Sequence, residues 1–447
     1  MNFWERLFGT TAEPITPQPT VRLGRYTDAY KEKKQYEAWD EALTKFDEED
    51  YLAAYEAFFK YLRDEKEDNV RWIQTDRGYE FELLQGSKRA VGMANAQKFV
   101  AEARIVKAQN LSVAVMRRLV ESNFTLEYCR YALDNDNNLV IKFDTNALDA
   151  SPFKLYYALK ELAVSADKQD DLLLDEFGSL LTPIDIGSRV ELPEAEKEIK
   201  HAFILEKITA LFAELDSKKL NGDKYPGGIS YLLLDTAYRI DYLTTPEGFV
   251  METIERIHRN YFSTENKTMI QKNALILAEF EKIKNRTKTS IFNELYGTTS
   301  TFGILQPKQH DALIALIDGE LPNRDWYEQN GHPNVALAVP SYIIGHALFT
   351  YSLPKPDREL LAFYYRIFEP TFSKSLNYTP QYLNPQTGVF DQKAIKTAIK
   401  TITESHAEKF PKLVPDLSVL DFKTASKFAA SYLMLLKGLD FSPKEKA

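Results

Sequence analysis

The feature that most constrains this chain is a change of hydrophobic period part-way along it. Between Val70 and Asp144 apolar side chains recur every second residue over short runs, as where Tyr79, Phe81 and Leu83 alternate with Glu80 and Glu82. Beyond Pro193 they recur every third or fourth residue. A period of two buries one face of a strand, and a period near 3.6 buries one stripe of a helix. Strand-rich and helix-rich blocks in succession predict an α+β domain followed by a larger all-α domain. Gly178, Pro183, Gly187 and Pro193 punctuate the change. The 447 residues exceed one ordinary core, so two or three domains are expected.

Before the strands, residues 1–34 read as an extended N-terminal tether carrying Pro14, Pro17 and Pro19. Phe3, Trp4, Leu7 and Phe8 form one amphipathic turn suited to docking on the protein body. A helical period starts near Tyr36, with Trp39, Ala42, Leu43 and Phe46 on one face, and a second helix spans Tyr51 to Leu62. This pair resembles one tetratricopeptide hairpin, but no second copy follows at a period of about 34.

Strands are expected at Val70–Thr75 and Tyr79–Leu84, with further strand material at Arg89–Met93 and Phe99–Val106. Ala94–Ala103 suits either element type. A helix over Ser112–Glu121 uses Val113, Val115, Met116, Leu119 and Val120 as its apolar positions. Two strands follow, Thr125–Leu133 and Leu139–Asp144, joined by Asp134-Asn135-Asp136-Asn137-Asn138. Those residues tolerate left-handed backbone angles and predict a hairpin. Ser151-Pro152 opens a helix that points Phe153, Tyr156, Tyr157, Leu159, Leu162 and Ala163 to the core.

The order of residues 35–185 is therefore helix, three strands, helix, two strands, helix. That order resembles the YbjN-like and type III secretion chaperone-like α+β fold. The resemblance implies a binding module, often dimeric, that holds client segments on apolar patches, and it supplies no catalytic residues.

Residues 190–440 read as an all-helical domain, with helices near 194–216, 229–243, 247–262, 268–296, 308–318, 334–352, 357–369, 391–409 and 417–438. Pro340 should kink its helix or displace its start. Residues 441–447 are a polar tail.

Charge and motif content then narrow the function. The net charge of −9 opposes nucleic acid as the main partner, because phosphate binding draws on clustered Lys and Arg. No segment approaches the roughly 18 consecutive apolar residues of a membrane span, and the N-terminus lacks a secretory pattern. With a single cysteine, Cys129, neither an intramolecular disulfide nor a thiolate cluster can form. The reducing cytoplasm is the simplest location.

None of the six histidines pairs at metal-binding spacing. Glu328 and His332 are four apart, but Asn330-Gly331 intervenes. His346 reads as a hydrogen-bonded core residue. Gly86-Ser87-Lys88 and Gly227-Gly228 lack the phosphate-loop frames and read as turns, and Asp167–Asp171 reads as a solvated helix end. Asp325–Asn334 is the loop best suited to line a pocket, though closure of the core by Trp326 and Tyr327 is the favoured reading.

No catalytic, cofactor-binding or metal-binding residue is assigned. The leading expectation is a non-enzymatic protein-binding or chaperone-like module on a helical scaffold, with a protein partner and homodimerisation as one admissible assembly. Two rivals stay open: an enzyme or small-ligand binder with its pocket near residues 326–346, and a structural oligomer subunit.

Overall fold

The computed structural model describes residues 21–109, 112–184 and 189–442. The amphipathic turn, the prolines of the tether, Gly187 and residues 443–447 of the tail lie outside the described residues. The described residues divide into two compact units: Leu23–Arg358, and a smaller one in which residues 359–442 join Val21 and Arg22. This division does not follow the change of period, since the helices from Glu194 to Arg358 belong with the sheet.

The larger unit begins with an extended stretch anchored by Arg25, whose guanidinium pairs with Asp241 at 2.7 Å and Glu255 at 3.2 Å. Helices α1 (Lys33–Asp47) and α2 (Tyr51–Leu62) follow. Then come four strands, β1 (Val70–Thr75), β2 (Gly78–Gln85), β3 (Lys88–Ala94) and β4 (Lys98–Ala108). Three were expected. The ambiguous stretch Ala94–Ala103 is the β3–β4 hairpin, whose turn is tied by Asn95 Oδ1 accepting from the Gln97 and Lys98 amides. Ala101 and Ala103 carry little strand signal, yet both are buried on the core face of β4.

Helix α3 (Val113–Asn123), the hairpin β5 (Arg130–Leu133) and β6 (Asn138–Asn146), helix α4 (Pro152–Phe177) and β7 (Leu181–Pro183) complete the α+β part. The sheet is antiparallel in the order β1-β2-β3-β4-β6-β5, with β7 paired to the end of β4. Its inner face packs Val70, Phe81, Leu83, Phe99, Ile141 and Phe143 in one core with Phe58 and Phe59 of α2 and Leu155, Leu159 and Leu162 of α4.

Two expected apolar faces are phased differently. Ser151 caps α4 as expected, but Phe153 and Tyr157 stay 54% and 56% exposed. On α3 only Val115 and Leu119 of the five apolar positions are buried. Strand β5 starts at Arg130, later than expected, because the Glu161 carboxylate accepts the amides of Glu127, Tyr128 and Cys129 at 2.6–2.8 Å and holds them in a turn.

The helices of this unit are α5 (Glu194–Asp216), α6 (Pro226–Thr244), α7 (Gly248–Phe262), α8 (Met269–Lys284), α9 (Lys288–Asn293), α10 (His310–Gln329) and α11 (Pro333–Thr350). Two short ladders interrupt the helical texture: β8 (Val190–Glu191) with β9 (Tyr296–Gly297), and β10 (Gln306–Pro307) with β11 (Tyr351–Ser352). The single helix expected over 268–296 divides where Thr287 caps α9.

Helix α10 runs on through Gly319 and Pro322 to Gln329. Both residues face open space, so water can serve the carbonyl that Pro322 deprives of an amide. Helix α11 contains Pro340 without ending there. Gly227 and Gly228 are not a turn but the first turn of α6, where Gly228 leaves room for the Tyr327 ring; a Cβ would sit 3.1 Å from it.

The smaller unit contains most of α12 (Lys355–Phe368), then α13 (Pro370–Ser375), α14 (Gln392–Glu404) and α15 (Ala425–Lys437). Its core is aromatic: Phe428 lies 4.6 Å from Phe390 and 5.8 Å from Tyr432, ring to ring. The Tyr432 hydroxyl donates to the Leu360 carbonyl at 2.8 Å.

Candidate functional site

Strand alternation that sends Tyr79, Phe81 and Leu83 inward sends Glu80 and Glu82 outward, and the antiparallel register carries that choice across the sheet. Two cross-strand rows result on the outer face. One runs Arg71, Glu82, Val91, Glu102, Lys142 and Arg130 from β1 to β5. Its neighbour runs Ile73, Glu80, Met93, Val100 and Asp144.

Val91, Met93 and Val100 make an apolar floor on β3 and β4. Acidic side chains flank it, and cations stand outside them. Arg71 reaches Glu82 at 3.0 Å, Lys142 reaches Glu102 at 3.0 Å, Arg77 reaches Glu80 at 3.3 Å, and Arg130 pairs with Asp144. This face stays open. Ile73 is 61% and Val91 38% exposed, and a groove of about 840 Å³ runs over the floor.

Gly92 lies between Val91 and Met93 on the inner side. A Cβ there would come within 2.3 Å of the Phe81 ring, so only glycine lets that ring close the core beneath the groove.

A second polar constellation lies largely buried inside the same unit. The Asp170 carboxylate on α4 is wholly buried and meets Lys88 Nζ at 3.0 Å, Arg189 at 3.1 Å and the Ser87 hydroxyl at 2.8 Å. Asp171 takes Arg189 at 2.7 Å and the Tyr296 hydroxyl at 2.9 Å. Asp167 Oδ1 accepts the Ser87 amide at 2.7 Å. The expectation of a solvated helix end at Asp167–Asp171 is overturned. These residues sit mid-helix, and the buried stripe Leu159, Leu162, Ala163, Ala166 continues through Asp170 to Leu173. That phase is the signal that locates them in the sequence. Gly86-Ser87-Lys88 is a turn, as read, but Ser87 and Lys88 are buried in it.

Burial, reinforced by the neighbouring Asp170, pushes the Asp167 carboxyl up to about 7. Burial also raises Asp171 and Glu247, and it lifts Glu294 to about 7 against the opposing pull of Arg286.

The other residues singled out in the sequence serve packing. Cys129 is buried with Sγ 3.4 Å from the Ala158 carbonyl, and burial raises its thiol well above the usual range, which suppresses the nucleophilic thiolate. Asp325–Gln329 is not a loop but the last turns of α10, where Trp326 packs against Tyr225 and Tyr327. Glu328 engages Arg324 at 3.0 Å, while the His332 ring packs on Tyr225.

His346 lies in the core, as read, but its Nδ1 has no hydrogen-bond partner among the described residues; rings of Tyr238, His258 and Phe262 surround it at 5.3–5.9 Å. Burial lowers both His258 and His346 to about 4. Sequence reasoning also missed the buried pair His310–Asp357 at 2.9 Å, whose members lie 47 residues apart. In the smaller unit, a groove of about 690 Å³ is lined by Lys374, Tyr382, Phe390 and Asp391 among others.

No family model matches the chain, and no curated protein matches it at a significant level. Among the described residues no helix is long and apolar enough to cross a membrane.

Proposed function

We propose that this protein is a non-enzymatic polypeptide-binding module whose binding surface is the outer face of the sheet. One observation carries the reading: an open groove with an apolar floor of Val91, Met93 and Val100, bordered by ion-paired charges of both signs. Apolar area supplies the driving force for association, and bordering charges set the register of a partner. The element order of residues 35–185 resembles chaperone-like α+β modules, and this supports the same reading.

The charge pattern also bears on the kind of partner. Across β1–β6 one row reads cation, acid, Val91, acid, cation. Stacking a second copy face to face about a two-fold along β3 sets Arg71 against Lys142 and Glu82 against Glu102. A two-fold across the strands sets Glu82 against itself or against Glu80. Like charges oppose each other in each case. The proposed occupant is therefore a segment of a different protein, with apolar side chains entering the trough and polar flanks meeting its borders.

The test is site-specific photo-crosslinking in the native cell, with the reactive residue placed at Val91 and, as a control, at the exposed Val414. Position 91 should give adducts to a defined segment of another protein that disappear when Ile73 and Met93 are changed to Glu. Absence of adducts, or equal labelling from both positions, contradicts the proposal.

A further inference from the structure

The buried acidic cluster is not used by the binding surface, and its composition is unusual for a largely buried site. From α4 come Asp167, Asp170 and Asp171, with the exposed Asp175 at the rim. The segment before α7 brings Glu247, and the residues after α9 bring Glu294 and the Tyr296 hydroxyl, while the opposing cations are Lys88 of β3, Arg189 and Arg286. Arg25 also faces Glu247, but its guanidinium is committed to Asp241 and Glu255. Lys168 turns from α4 to a separate site, pairing with Glu252 at 2.7 Å and Glu255 at 3.0 Å.

Lys88 Nζ is fully occupied, reaching Asp170 and the carbonyls of Ile105 and Ile184 at 2.8 and 3.0 Å. Arg189 is shared by Asp170 and Asp171, and Arg286 by Asp175 and Glu294. Among the described residues, five buried or half-buried carboxylates thus face three committed cations, and Asp167 meets Ser87 but no cation. A buried carboxylate without a cation lowers its energy by keeping a proton.

The cluster also occupies a mechanical position. Asp167 and Asp170 clasp the β2–β3 turn at Ser87 and Lys88, while Asp171 clasps Tyr296 and packs at Gly248, where α7 begins. It is one polar rivet between the sheet and the later part of this unit, beside the Gln85 contacts to Thr301 and Phe302.

We propose that this cluster is a proton-dependent latch: it holds the β2–β3 turn and the start of α7 to α4 while its surplus carboxylates keep protons, and it loosens as they lose them. The sign follows from linkage. Asp167 and Glu294 titrate near 7 when folded and near 4 when exposed, so the closed state binds more protons between those values. Stability falls as pH rises through that window, and the loss is nearly complete by about pH 8. His258 and His346, held near 4, act in the opposite sense wherever opening exposes them, each lowering the opening constant about twofold between pH 6.5 and 8. The latch is therefore read in segments of β2–β3 and α4, which contain neither histidine.

Hydrogen exchange of the full chain at pH 6.5 and 8, corrected for intrinsic rates, reads it directly. In the wild type the opening constants of residues 84–90 and 164–174 should rise about fourfold for each of Asp167 and Glu294 that opening exposes. Asp167→Asn keeps the acceptor for the Ser87 amide and should remove one such factor; Glu294→Gln should remove the other. Should Asp167→Asn fail to fold, Glu294→Gln alone carries the comparison. Equal opening at both pH values in the wild type overturns the latch. So does a pH-dependent rise of the same size in the variants.

Discussion

The outer face of the sheet and the cluster behind α4 use the same residue types to opposite ends. On the face, Arg71, Lys142, Glu82 and Glu102 pair across strands in contact with water, so their mutual attraction is screened and each pair contributes little. In the cluster, Lys88 and Asp170 have lost that water, and their pairing offsets a large desolvation cost. An exposed ion pair can be exchanged for contacts with a partner at small expense. A buried one cannot be opened without leaving a charge stranded. This difference suits the face to recognition and the cluster to holding the unit together.

The contrast can be broken most forcefully at Lys88. Replacing it by Ala leaves the buried Asp170 to share Arg189 with Asp171 and should cost about 3–5 kcal/mol in urea unfolding. A loss under 1 kcal/mol means that water reaches the cluster. On the inner side of the sheet, Gly92→Val drives a side chain into Phe81 and should cost about 1–3 kcal/mol, occasionally more, by the same assay. A neutral result places the Phe81 ring elsewhere. On the outer face, Lys142→Ala should cost no more than about 1 kcal/mol, and less in high salt. Smallest of all, Val91→Glu should leave the unfolding midpoint nearly unchanged, within about 0.5 kcal/mol, while impairing partner binding. If Val91→Glu instead destabilises the fold like Gly92→Val, the outer face is a covered surface and not a recognition site.

The face was legible in the sequence because its information is local. Strict alternation over Tyr79–Leu83 assigns Glu80 and Glu82 of β2 outward, and the Asp134–Asn138 loop fixes the β5–β6 pairing. The β3–β4 hairpin was blurred because Ala90, Ala94, Ala101 and Ala103 are small where the core is tight, and alanine favours neither strand nor exposure.

The cluster was illegible for a different reason. Ser87, Asp170, Arg189 and Tyr296 are brought together from more than 200 residues of chain, and no spacing rule connects them. A polar run such as Asp167–Asp171 reads as solvated unless the phase of the helix is followed through it, and only that phase marks Asp170 as interior. Helix α10 was cut short for the converse reason: Gly319 and Pro322 look like stops, but on an open side they cost too little to end the helix.

The account stands most directly on the affinity of the outer face for the segment captured at Val91. Titration calorimetry of that segment against the wild type and the Ile73→Glu/Met93→Glu variant, with unfolding midpoints measured in parallel, separates binding from folding. The variant should bind at least tenfold more weakly, about 1.4 kcal/mol, with the midpoint nearly unchanged. Unaltered affinity in a folded variant would contradict it.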